Sequence, residues 1–440
     1  MSEATQEKTG LGNYFIANYP PFSAWKPAHL VEAHAALQQA PRPDTPLGLY
    51  LHIPFCRKRC KFCYFRVYTD KNARDVETYA AALVREVELY SKLPIIGGRS
   101  LHYVYFGGGT PSYLSAAQLR DLMGRLQAFL PWQQAAEVTF ECEPGTLQRH
   151  KLEALRELGV TRLSLGVENF NPKLLEYNGR AHLEEEIYRA YGWARELGFN
   201  QINIDLIAGM VGETWDNWRR CVAKTIELSP ESVTVYQMEL PFNTVFSKEL
   251  RVVGQDEPTD MTIADWPTKR AWVDFAFAEM AKAGYEVSSA YTMVKDKART
   301  KFVYRDSLWH GADMFGCGVA SFGHVRGVHV QNLDSWEQYL AALDRGELPL
   351  GRALPVAPRQ LLIREMILQL KTGRLEAGYF RQKFGVDVLQ EYAAGFASLA
   401  QAGFLTLADD GVRLTREGLL QVDRLLPTFF EPEFQGTRYT

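Results

Sequence analysis

A chain of 440 residues with 46% hydrophobic and 23% charged residues is long enough for one large globular domain and a smaller one. Its formal net charge of -3 provides no general attraction for nucleic acid or an anionic membrane, so neither partner is expected. The sequence has no run of about 18 apolar residues and its first residues are polar and acidic, unlike a secretory signal. We therefore expect a cytoplasmic protein.

Short β-rich runs alternate with longer amphipathic stretches from Leu47 onward. Strands are indicated by short runs of branched and aromatic residues, and helices by apolar residues spaced three and four apart. Six strands, each followed by a helix, predict an α/β fold with a parallel sheet, either doubly wound or rolled into a barrel. The predicted strands are 47–53, 101–109, 137–144, 160–168, 199–209 and 232–240.

The rest of the chain lacks this alternation. Residues 1–46 are rich in proline and predict an irregular N-terminal arm, and 47–290 form the repeating core. Residues 291–349 are expected to connect the domains and to cover the substrate. Residues 350–440 predict three helices and a hairpin turning at Asp409 to Gly411, a winged-helix-like domain without a basic stripe for DNA.

Unusual residues follow five successive predicted strands. Three cysteines follow the first strand, GGGTP the second, ECEP the third, GVENF the fourth and DLIAGM the fifth. Ligands bind at the carboxyl ends of the strands in parallel α/β folds. These five segments therefore predict one functional site.

Cys56, Cys60 and Cys63 lie within eight positions of one another, whereas Cys142 and Cys221 are isolated and predict buried apolar residues. Cys317 lies between two glycines and predicts a loop. A reducing cytoplasm makes a metal or redox site more probable than disulfides for such a cluster. Zinc usually takes four ligands, with His52 as a conceivable fourth. An iron–sulfur cluster held by three thiolates would leave one iron without a protein ligand.

The spacing CxxxCxxC resembles that of the radical S-adenosylmethionine superfamily. The segments YLHIPFC, YFGGGTPSYL, GVENF, NIDLIAGM and VRLTREGLLQVDRLL further resemble the oxygen-independent coproporphyrinogen III oxidase (HemN-like) group, from about Leu47 to the end. The resemblance implies a partial (β/α)6 TIM-like barrel followed by a HemN C-terminal-like helical domain. It also implies a 4Fe-4S cluster whose open iron binds S-adenosylmethionine, which is cleaved to a 5'-deoxyadenosyl radical.

The resemblance implies a role for each residue that matches a motif of the group. Cys56, Cys60 and Cys63 would ligate the cluster. Asp205 and Glu168 match positions assigned to a second S-adenosylmethionine and are the predicted catalytic residues. The remaining matches are predicted to bind the first S-adenosylmethionine. Tyr50 would lie near its methionine end and Phe62 would pack against its adenine. Its amino group would contact Gly107, Gly108, Gly109 and Thr110, its ribose Glu141, and its carboxylate Arg180. Glycines also make turns, and acids at strand ends also cap helices.

Two departures from the group's pattern argue against the oxidase reaction. The oxidases have a further cysteine where this chain has Phe65, and a glutamine where it has Glu168. We therefore rank first an enzyme that acts on a cyclic or conjugated, possibly tetrapyrrole, carbon substrate by methylation or a related radical reaction. Coproporphyrinogen III oxidase is the second hypothesis, and a haem-binding chaperone, using histidines such as His310, His324 or His329, is the third.

Four basic residues surround the cysteines: Arg57, Lys58, Arg59 and Lys61. Positive charge there would lower the thiol pKa values and ease electron entry. It would also suit docking of an acidic flavodoxin or ferredoxin, although a solvated loop explains it equally well. The chain is expected to act as a monomer.

Overall fold

The computed structural model describes residues 15–241, 244–246 and 263–437. Its centre is a run of six parallel strands, each followed by a helix, as the sequence predicts. The strands are β1 Leu47–Ile53, β2 Tyr103–Gly108, β3 Glu137–Cys142, β4 Arg162–Glu168, β5 Ile202–Ala208 and β6 Ser232–Gln237. The helices that precede, connect and follow these six strands are α1 Leu30–Leu37, α2 Ala73–Ser91, α3 Ala116–Phe129, α4 Arg149–Glu157, α5 Pro172–Tyr177, α6 Glu184–Glu196, α7 Trp215–Leu228 and α8 Trp266–Lys282.

The two faces of these strands differ in chemistry because side chains alternate along a strand. The face toward the helices is apolar and forms the main core, with Phe106 and Leu165 fully buried. The opposite face is polar and aromatic. It carries Tyr50, Tyr103, Tyr105, Glu137, Thr139, Glu141, Arg162, Ser164, Asn203, Asp205, Thr234 and Tyr236.

The polar face is concave. Tyr105 on β2 and Tyr236 on β6 are four strands apart, yet they lie close enough to interact electrostatically. A flat sheet would place them roughly 19 Å apart at its usual strand spacing. The strands therefore curl around a polar lumen, and the predicted partial (β/α)6 TIM-like barrel is confirmed.

The segment 291–349, expected to be a connection, instead extends the sheet. β9 Asp313–Cys317 pairs in parallel with β1 and is buried on both faces, as strands of parallel sheets usually are. The other added strands are antiparallel, so the described part of the chain forms one mixed sheet of twelve strands. Apart from β9, the elements between α8 and the C-terminal region are β7 Glu286–Val287, β8 Thr292–Val294, α9 Val303–Trp309, β10 Phe322–Val325, β11 Val328–Asn332, α10 Trp336–Asp344 and β12 Leu350–Pro355.

The start of α9 enters the lumen at the amino-terminal end of the strands. The Tyr304 ring centroid lies 4.3 Å from that of Tyr105, and the Arg162 guanidinium lies 4.2 Å from the Phe302 ring centroid. Glu137 accepts hydrogen bonds from the backbone N–H groups of Val303 and Tyr304, at 3.0 and 3.2 Å. These aromatic side chains fill that end of the lumen.

The C-terminal region combines helices with a small sheet, as predicted. The small sheet has three strands in the order β13-β15-β14, one more than the predicted hairpin. The third predicted helix is interrupted at Tyr392, which caps one helix and begins the next. The elements are α11 Pro358–Leu370, β13 Arg374–Glu376, α12 Ala377–Phe384, α13 Val388–Glu391, α14 Ala393–Gln401, β14 Leu405–Ala408, β15 Gly411–Leu414, α15 Arg416–Leu420 and α16 Val422–Leu425.

The described part of the N-terminal arm, from residue 15, is less irregular than predicted because it contains α1. Apolar residues of α1, such as Leu37, are buried in the main core. Lys26 forms an isolated bridge with Ala353 of β12. None of the helices described is both long enough and apolar enough to cross a membrane.

Candidate functional site

The three clustered cysteines lie on the loop that follows β1, at the carboxyl end of the parallel strands. All three are free and half-buried. The Cys63 N–H donates to the Cys60 carbonyl oxygen at 3.1 Å, and the Cys56 N–H donates to that of Tyr68. The loop therefore folds back on itself and presents three thiols at the predicted place.

The glycine segment after β2 supports this loop from the neighbouring strand. The N–H groups of Gly109 and Thr110 donate to the carbonyl oxygens of Ile53 and Phe55, both at 2.8 Å. A Cβ on Gly109 would lie 2.9 Å from the Phe55 oxygen, so no larger residue fits without a shift. The Thr110 hydroxyl donates to the Cys56 Sγ at 3.3 Å.

Gly107 and Gly108 lie beside side chains of the lumen. Gly108 has a φ of +115°, which only glycine adopts readily, and a Cβ there would lie 2.6 Å from the His52 ring. A Cβ on Gly107 would contact the Tyr105 ring. Glycine at both positions therefore lets the main chain at the end of β2 lie close against the His52 and Tyr105 rings.

Arg180, between α5 and α6, connects the cysteine loop to the end of β4. Its Nη1 donates to the Cys60 Sγ at 3.4 Å, and its Nη2 donates to the Gly166 carbonyl oxygen at 2.5 Å. The same Nη2 lies 3.6 Å from the Glu168 Oε1. Its Nε is buried and has no hydrogen-bond partner among the described residues. The guanidinium thus joins the end of β4 to the cysteine loop, where Cys60 lies 120 residues before Arg180 in the chain.

Glu141, at the end of β3, projects into the lumen. It accepts hydrogen bonds from the Tyr105 hydroxyl at 2.6 Å and from the Gly108 N–H at 3.2 Å. Burial raises its pKa to about 7 because water no longer solvates the charged form. Near neutral pH this carboxyl therefore exists in both protonation states.

Glu168 ends β4 in an unusual conformation. Its φ is +63°, in the left-handed region, next to a register shift between Gly166 and Glu168. A residue other than glycine pays about 1–2 kcal/mol for that geometry. Burial raises the pKa of Glu168 to about 7, and the Arg180 charge opposes the rise.

Asp205 lies on β5, beside β4, within the same lumen. It accepts hydrogen bonds from the Ser164 hydroxyl at 2.8 Å and from the Asn203 side chain at 2.9 Å. Burial raises its pKa. The structure therefore gathers Glu141, Glu168, Asp205 and Arg180 around one lumen next to the cysteines.

The cysteines fit a cluster better than a single ion. Among the described residues, no three histidine, cysteine or acidic side chains converge on a point where one metal ion could bind. A cubane binds each thiolate through a different iron, so its ligands need not converge. Burial raises the pKa of Cys56 to about 12 and that of Cys63 to about 11, so iron binding would release protons from these thiols.

Tyr50 and Phe62, the two aromatic residues predicted to bind S-adenosylmethionine, lie in different surroundings. The Tyr50 ring stacks on Tyr105, with centroids 5.9 Å apart, and its hydroxyl lies 3.3 Å from the His52 Nδ1. Phe62 is half-buried and packs against a small apolar cluster that includes Ile207 and Met210 at the end of β5. Tyr50 therefore lines the lumen, whereas Phe62 lies at its rim.

Most of the basic residues around the cysteines have structural partners. Arg57 forms an ion pair with Glu143 at 2.8 Å, and Arg59 donates to the Cys63 carbonyl oxygen at 3.1 Å. The Lys61 ammonium lies 5.1 Å from the Tyr177 ring centroid. Lys58 is exposed. Three of the four basic side chains therefore stabilise the fold of the cysteine loop and its neighbours through these contacts.

The histidines considered for haem differ in accessibility. His324 and His329 are buried and share a contact of 2.8 Å between their Nδ1 atoms, whereas His310 is exposed. His52 is buried in β1 and makes a contact of 3.2 Å with the Arg66 carbonyl oxygen. Cys142 and Cys221 are buried, as predicted. Cys317 is also buried and ends β9, so the predicted loop was wrong at that position.

The sequence did not identify several lumen residues that form hydrogen bonds with the predicted site residues. Tyr105 holds Glu141, and Ser164 and Asn203 hold Asp205. Arg162 is buried and one of its terminal nitrogens, Nη1, has no partner among the described residues. The alternation of polar and apolar residues in TFECE, RLSLGVE and INIDLIA was the signal that could have identified this face.

Comparison with known proteins identifies the family. The radical SAM superfamily matches residues 50–224, and the HemN C-terminal domain matches residues 356–420. The haem chaperone HemW of Lactococcus lactis is 30% identical over 355 residues, 78% of this chain and 84% of that protein. The chain belongs to the radical SAM superfamily, in its HemN-like group. This group includes the oxygen-independent coproporphyrinogen III oxidase of Escherichia coli, which is 27% identical over 90% of this chain and 88% of that protein.

The solved structure of the E. coli oxidase HemN, described as a radical SAM enzyme, has the same fold. It matches with a TM-score of 0.79 at 25% identity, over 94% of this chain and 96% of that one. Radical SAM proteins use a 4Fe-4S cluster and S-adenosylmethionine. The relatives of this HemN-like chain include both oxidases and haem chaperones, so membership of the group leaves its reaction open.

Proposed function

We propose that this protein is a radical SAM enzyme that modifies a cyclic or conjugated carbon substrate. The observation that carries the proposal is the position of Arg180, which contacts the Cys60 thiol and the end of β4 at once. One guanidinium thereby joins the cysteine loop to Glu168 and to the lumen that contains Asp205.

The residues around the cysteines are proposed to hold the cluster and S-adenosylmethionine. Cys56, Cys60 and Cys63 would ligate three irons. Carbonyl groups of Gly107 to Gly109 would accept from the methionine amino group, beside Thr110 and Tyr50, and Arg180 would pair with its carboxylate. Glu141 would accept from the ribose hydroxyls, and the Phe62 ring would pack against adenine. When bound, the cluster and S-adenosylmethionine supply the electron and the carbon radical that starts the reaction.

The chain itself contributes orientation, exclusion of water and proton handling. Phe302 and Tyr304 fill the far end of the lumen, which limits access of water to a reactive species formed near the cysteines. Because burial raises the pKa of Glu168 to about 7, this carboxyl can hold or release a proton near neutral pH. Asp205 and Glu168 are the proposed catalytic residues. Because Asp205 matches a position assigned to a second S-adenosylmethionine, we propose that it would bind that molecule.

Methylation or a related radical reaction is the first proposed outcome. Phe65 is 48% exposed and lies against Tyr64, with ring centroids 4.6 Å apart, where the oxidases have a cysteine. An aromatic ring there offers a surface for a flat substrate but no thiol. Glu168 in the place of a glutamine also changes an amide into an acid whose contact is Arg180.

Oxygen-independent coproporphyrinogen III oxidase activity is the second candidate. It is favoured by the oxidase of E. coli, which matches 90% of this chain. The chaperone HemW supports haem binding as a third, but two of the three histidines considered for haem are buried. Reduction of the cluster by a flavodoxin or ferredoxin is part of the enzyme proposal, with Lys58 an exposed cation near the cysteines.

One assay separates these outcomes. Anoxically reconstituted protein receives dithionite, methyl-labelled S-adenosylmethionine and an anoxic extract of the source cells as the substrate mixture; a parallel reaction receives coproporphyrinogen III. Label transferred to a product supports the methyltransferase. Carbon dioxide released from coproporphyrinogen III would establish the oxidase instead. Stoichiometric haem binding without cleavage of S-adenosylmethionine would establish the chaperone and reject the enzyme proposal.

A further inference from the structure

Tyr105, on the inner face of β2, has no role among those predicted from the sequence. Its hydroxyl donates to the Glu141 Oε1 at 2.6 Å, a distance typical of a hydrogen bond to an ionised oxygen. The other carboxylate oxygen, Oε2, accepts from the Gly108 N–H at 3.2 Å. Both oxygens of Glu141 are therefore held by groups of β2, one by a side chain and one by the main chain.

The neighbours of Tyr105 fix the direction of its hydroxyl. The ring is buried between Tyr304, with centroids 4.3 Å apart, and Tyr50, which lies nearly parallel at 5.9 Å. A Cβ on Gly107 would lie 2.8 Å from the Tyr105 ring and 3.2 Å from the Glu141 carboxyl carbon. Glycine at that position leaves the space that both side chains occupy. The hydroxyl therefore points at Glu141 because the ring has no room to turn away.

This hydrogen bond favours the charged form of Glu141. Burial raises the pKa of Glu141 to about 7, and the Tyr105 hydrogen bond is the strongest interaction that opposes the rise. Burial also raises the pKa of Tyr105 well above its usual range, so the hydroxyl keeps its proton. A donor binds a carboxylate more strongly than a neutral carboxyl group. Without Tyr105, less of Glu141 would be ionised at neutral pH.

Other titratable or charged groups also act on Glu141. They are Tyr50 on β1, Cys142 next to it on β3, Arg162 and Glu168 on β4, Asp205 on β5, Tyr236 on β6 and Tyr304 on α9. Burial raises the pKa values of the tyrosines and of Cys142, so they stay neutral between pH 6 and 8.5, and Arg162 stays charged. Glu168 and Asp205 are acids of the same lumen, so a test must separate the effect of Tyr105 from theirs.

We propose that Tyr105 is a positioning residue of the S-adenosylmethionine site, which orients Glu141 and keeps it in the acceptor-only form that ribose hydroxyls need. An ionised carboxylate has about four lone-pair positions. Tyr105 and Gly108 each take one, on different oxygens, so each oxygen keeps one for a pair of neighbouring hydroxyls. This role deepens the proposed function and rests on it, because Glu141 is proposed to accept from the ribose.

Tyr105→Phe tests the role because it removes the hydroxyl and keeps the ring. Reconstituted protein without reductant is dialysed against labelled S-adenosylmethionine at pH 6, 7 and 8.5. Loss of a hydrogen bond to a charged group should raise the pH at which Glu141 ionises by about one pH unit. Binding should then be about tenfold weaker than wild type at pH 6, about fivefold weaker at pH 7 and within about twofold at pH 8.5. A loss of packing would instead weaken binding equally at every pH.

Tyr103→Phe is the matched control. Tyr103 lies two residues before Tyr105 on the same inner face of β2, and its buried hydroxyl has no hydrogen-bond partner among the described residues. This variant should bind like the wild type at all three pH values. In a Glu141→Gln background, Tyr105→Phe should have no pH-dependent effect, because no carboxylate remains at position 141 to titrate. Glu168 and Asp205 are unchanged in that background, which separates their titration from that of Glu141.

The variants are compared at equal iron content, so that a folding defect is not mistaken for weak binding. A constant ratio of the Tyr105→Phe and wild-type Kd values across the three pH values would overturn the role. The same pH-dependent loss in Tyr103→Phe, or in the Glu141→Gln background, would also overturn it. Absence of wild-type binding at every pH would reject the proposed cofactor site itself, whereas wild-type binding with a constant ratio would reject Tyr105 alone.

Discussion

Arg180 donates from Nη1 to the Cys60 Sγ at 3.4 Å, while its Nη2 donates to the Gly166 carbonyl oxygen at 2.5 Å. This pair of contacts fixes the distance between the cysteine loop after β1 and the end of β4. A planar guanidinium can make both contacts at once through two separate nitrogens. An ammonium group has a single nitrogen and lacks this forked geometry.

Arg180→Lys should weaken binding of S-adenosylmethionine about tenfold or more, because the charge is kept but the forked geometry is lost. Binding is measured by equilibrium dialysis of labelled S-adenosylmethionine with reconstituted protein. Arg189→Lys, an exposed site on α6, serves as control and should bind like the wild type. An unchanged affinity in Arg180→Lys would remove this residue from the proposed cofactor site.

Replacing any one of Cys56, Cys60 and Cys63 by alanine should abolish the cluster, because three thiolates are the proposed protein ligands. Iron and sulfide are counted per chain after anoxic reconstitution. Cys221→Ala, which truncates a buried apolar cysteine of α7, should retain the full iron content. A variant of the triplet that kept four irons per chain would contradict the ligand assignment.

Binding of S-adenosylmethionine should strengthen as the pH rises through about 7 if Glu141 accepts from the ribose hydroxyls. Burial raises the pKa of Glu141 to about 7, so the carboxyl is mainly neutral at pH 6 and mainly ionised at pH 8. The ionised form has only acceptors, whereas the neutral form turns one oxygen into a donor. We expect Kd to fall several-fold from pH 6 to pH 8.

Glu141→Gln provides the comparison for this pH dependence. It keeps the size of the side chain but cannot titrate, so the part of the pH dependence that depends on Glu141 should disappear. Any change that remains in the variant belongs to other groups, including the amino group of S-adenosylmethionine. Identical pH profiles for the two proteins would show that Glu141 does not bind the ligand through its charge.

Glu168→Gly should be more stable than Glu168→Ala. Both variants lose the carboxylate near Arg180, but only alanine keeps a Cβ at a φ of +63°. The left-handed conformation costs an alanine about 1 kcal/mol relative to glycine. Thermal unfolding should therefore show a melting temperature about 1–2 °C higher for the glycine variant. A lower melting temperature for glycine would mean that this backbone geometry is not strained.

The central barrel could be read from the sequence because its strands combine apolar and polar residues at alternate positions. LGLYLHI was predicted as 47–53 and forms β1 over the same residues. By contrast, β9, β10 and β11 are only four or five residues long, and DMFGC and FGHV contain glycines that favour turns. Their place in the sheet depends on pairing with distant strands, as between β9 and β1, which local sequence does not specify.

The residue types of the site could also be predicted, but their contacts could not. The cysteines and the glycine segment stand in short motifs whose chemistry is local. The contact between Arg180 and Cys60 depends on how α5 and the cysteine loop fold toward one another. Likewise, the raised pKa values of Glu141 and Glu168 arise from burial, which only the curled sheet produces.

Paramagnetic resonance of the reduced protein, with and without S-adenosylmethionine, is the most direct test of the central claim. Anoxically prepared protein should contain about four irons and show the signal of a reduced 4Fe-4S cluster. Addition of S-adenosylmethionine should change that signal, because one iron has no ligand from the chain. A protein with no cubane signal, or with a signal that S-adenosylmethionine leaves unchanged, would contradict the account.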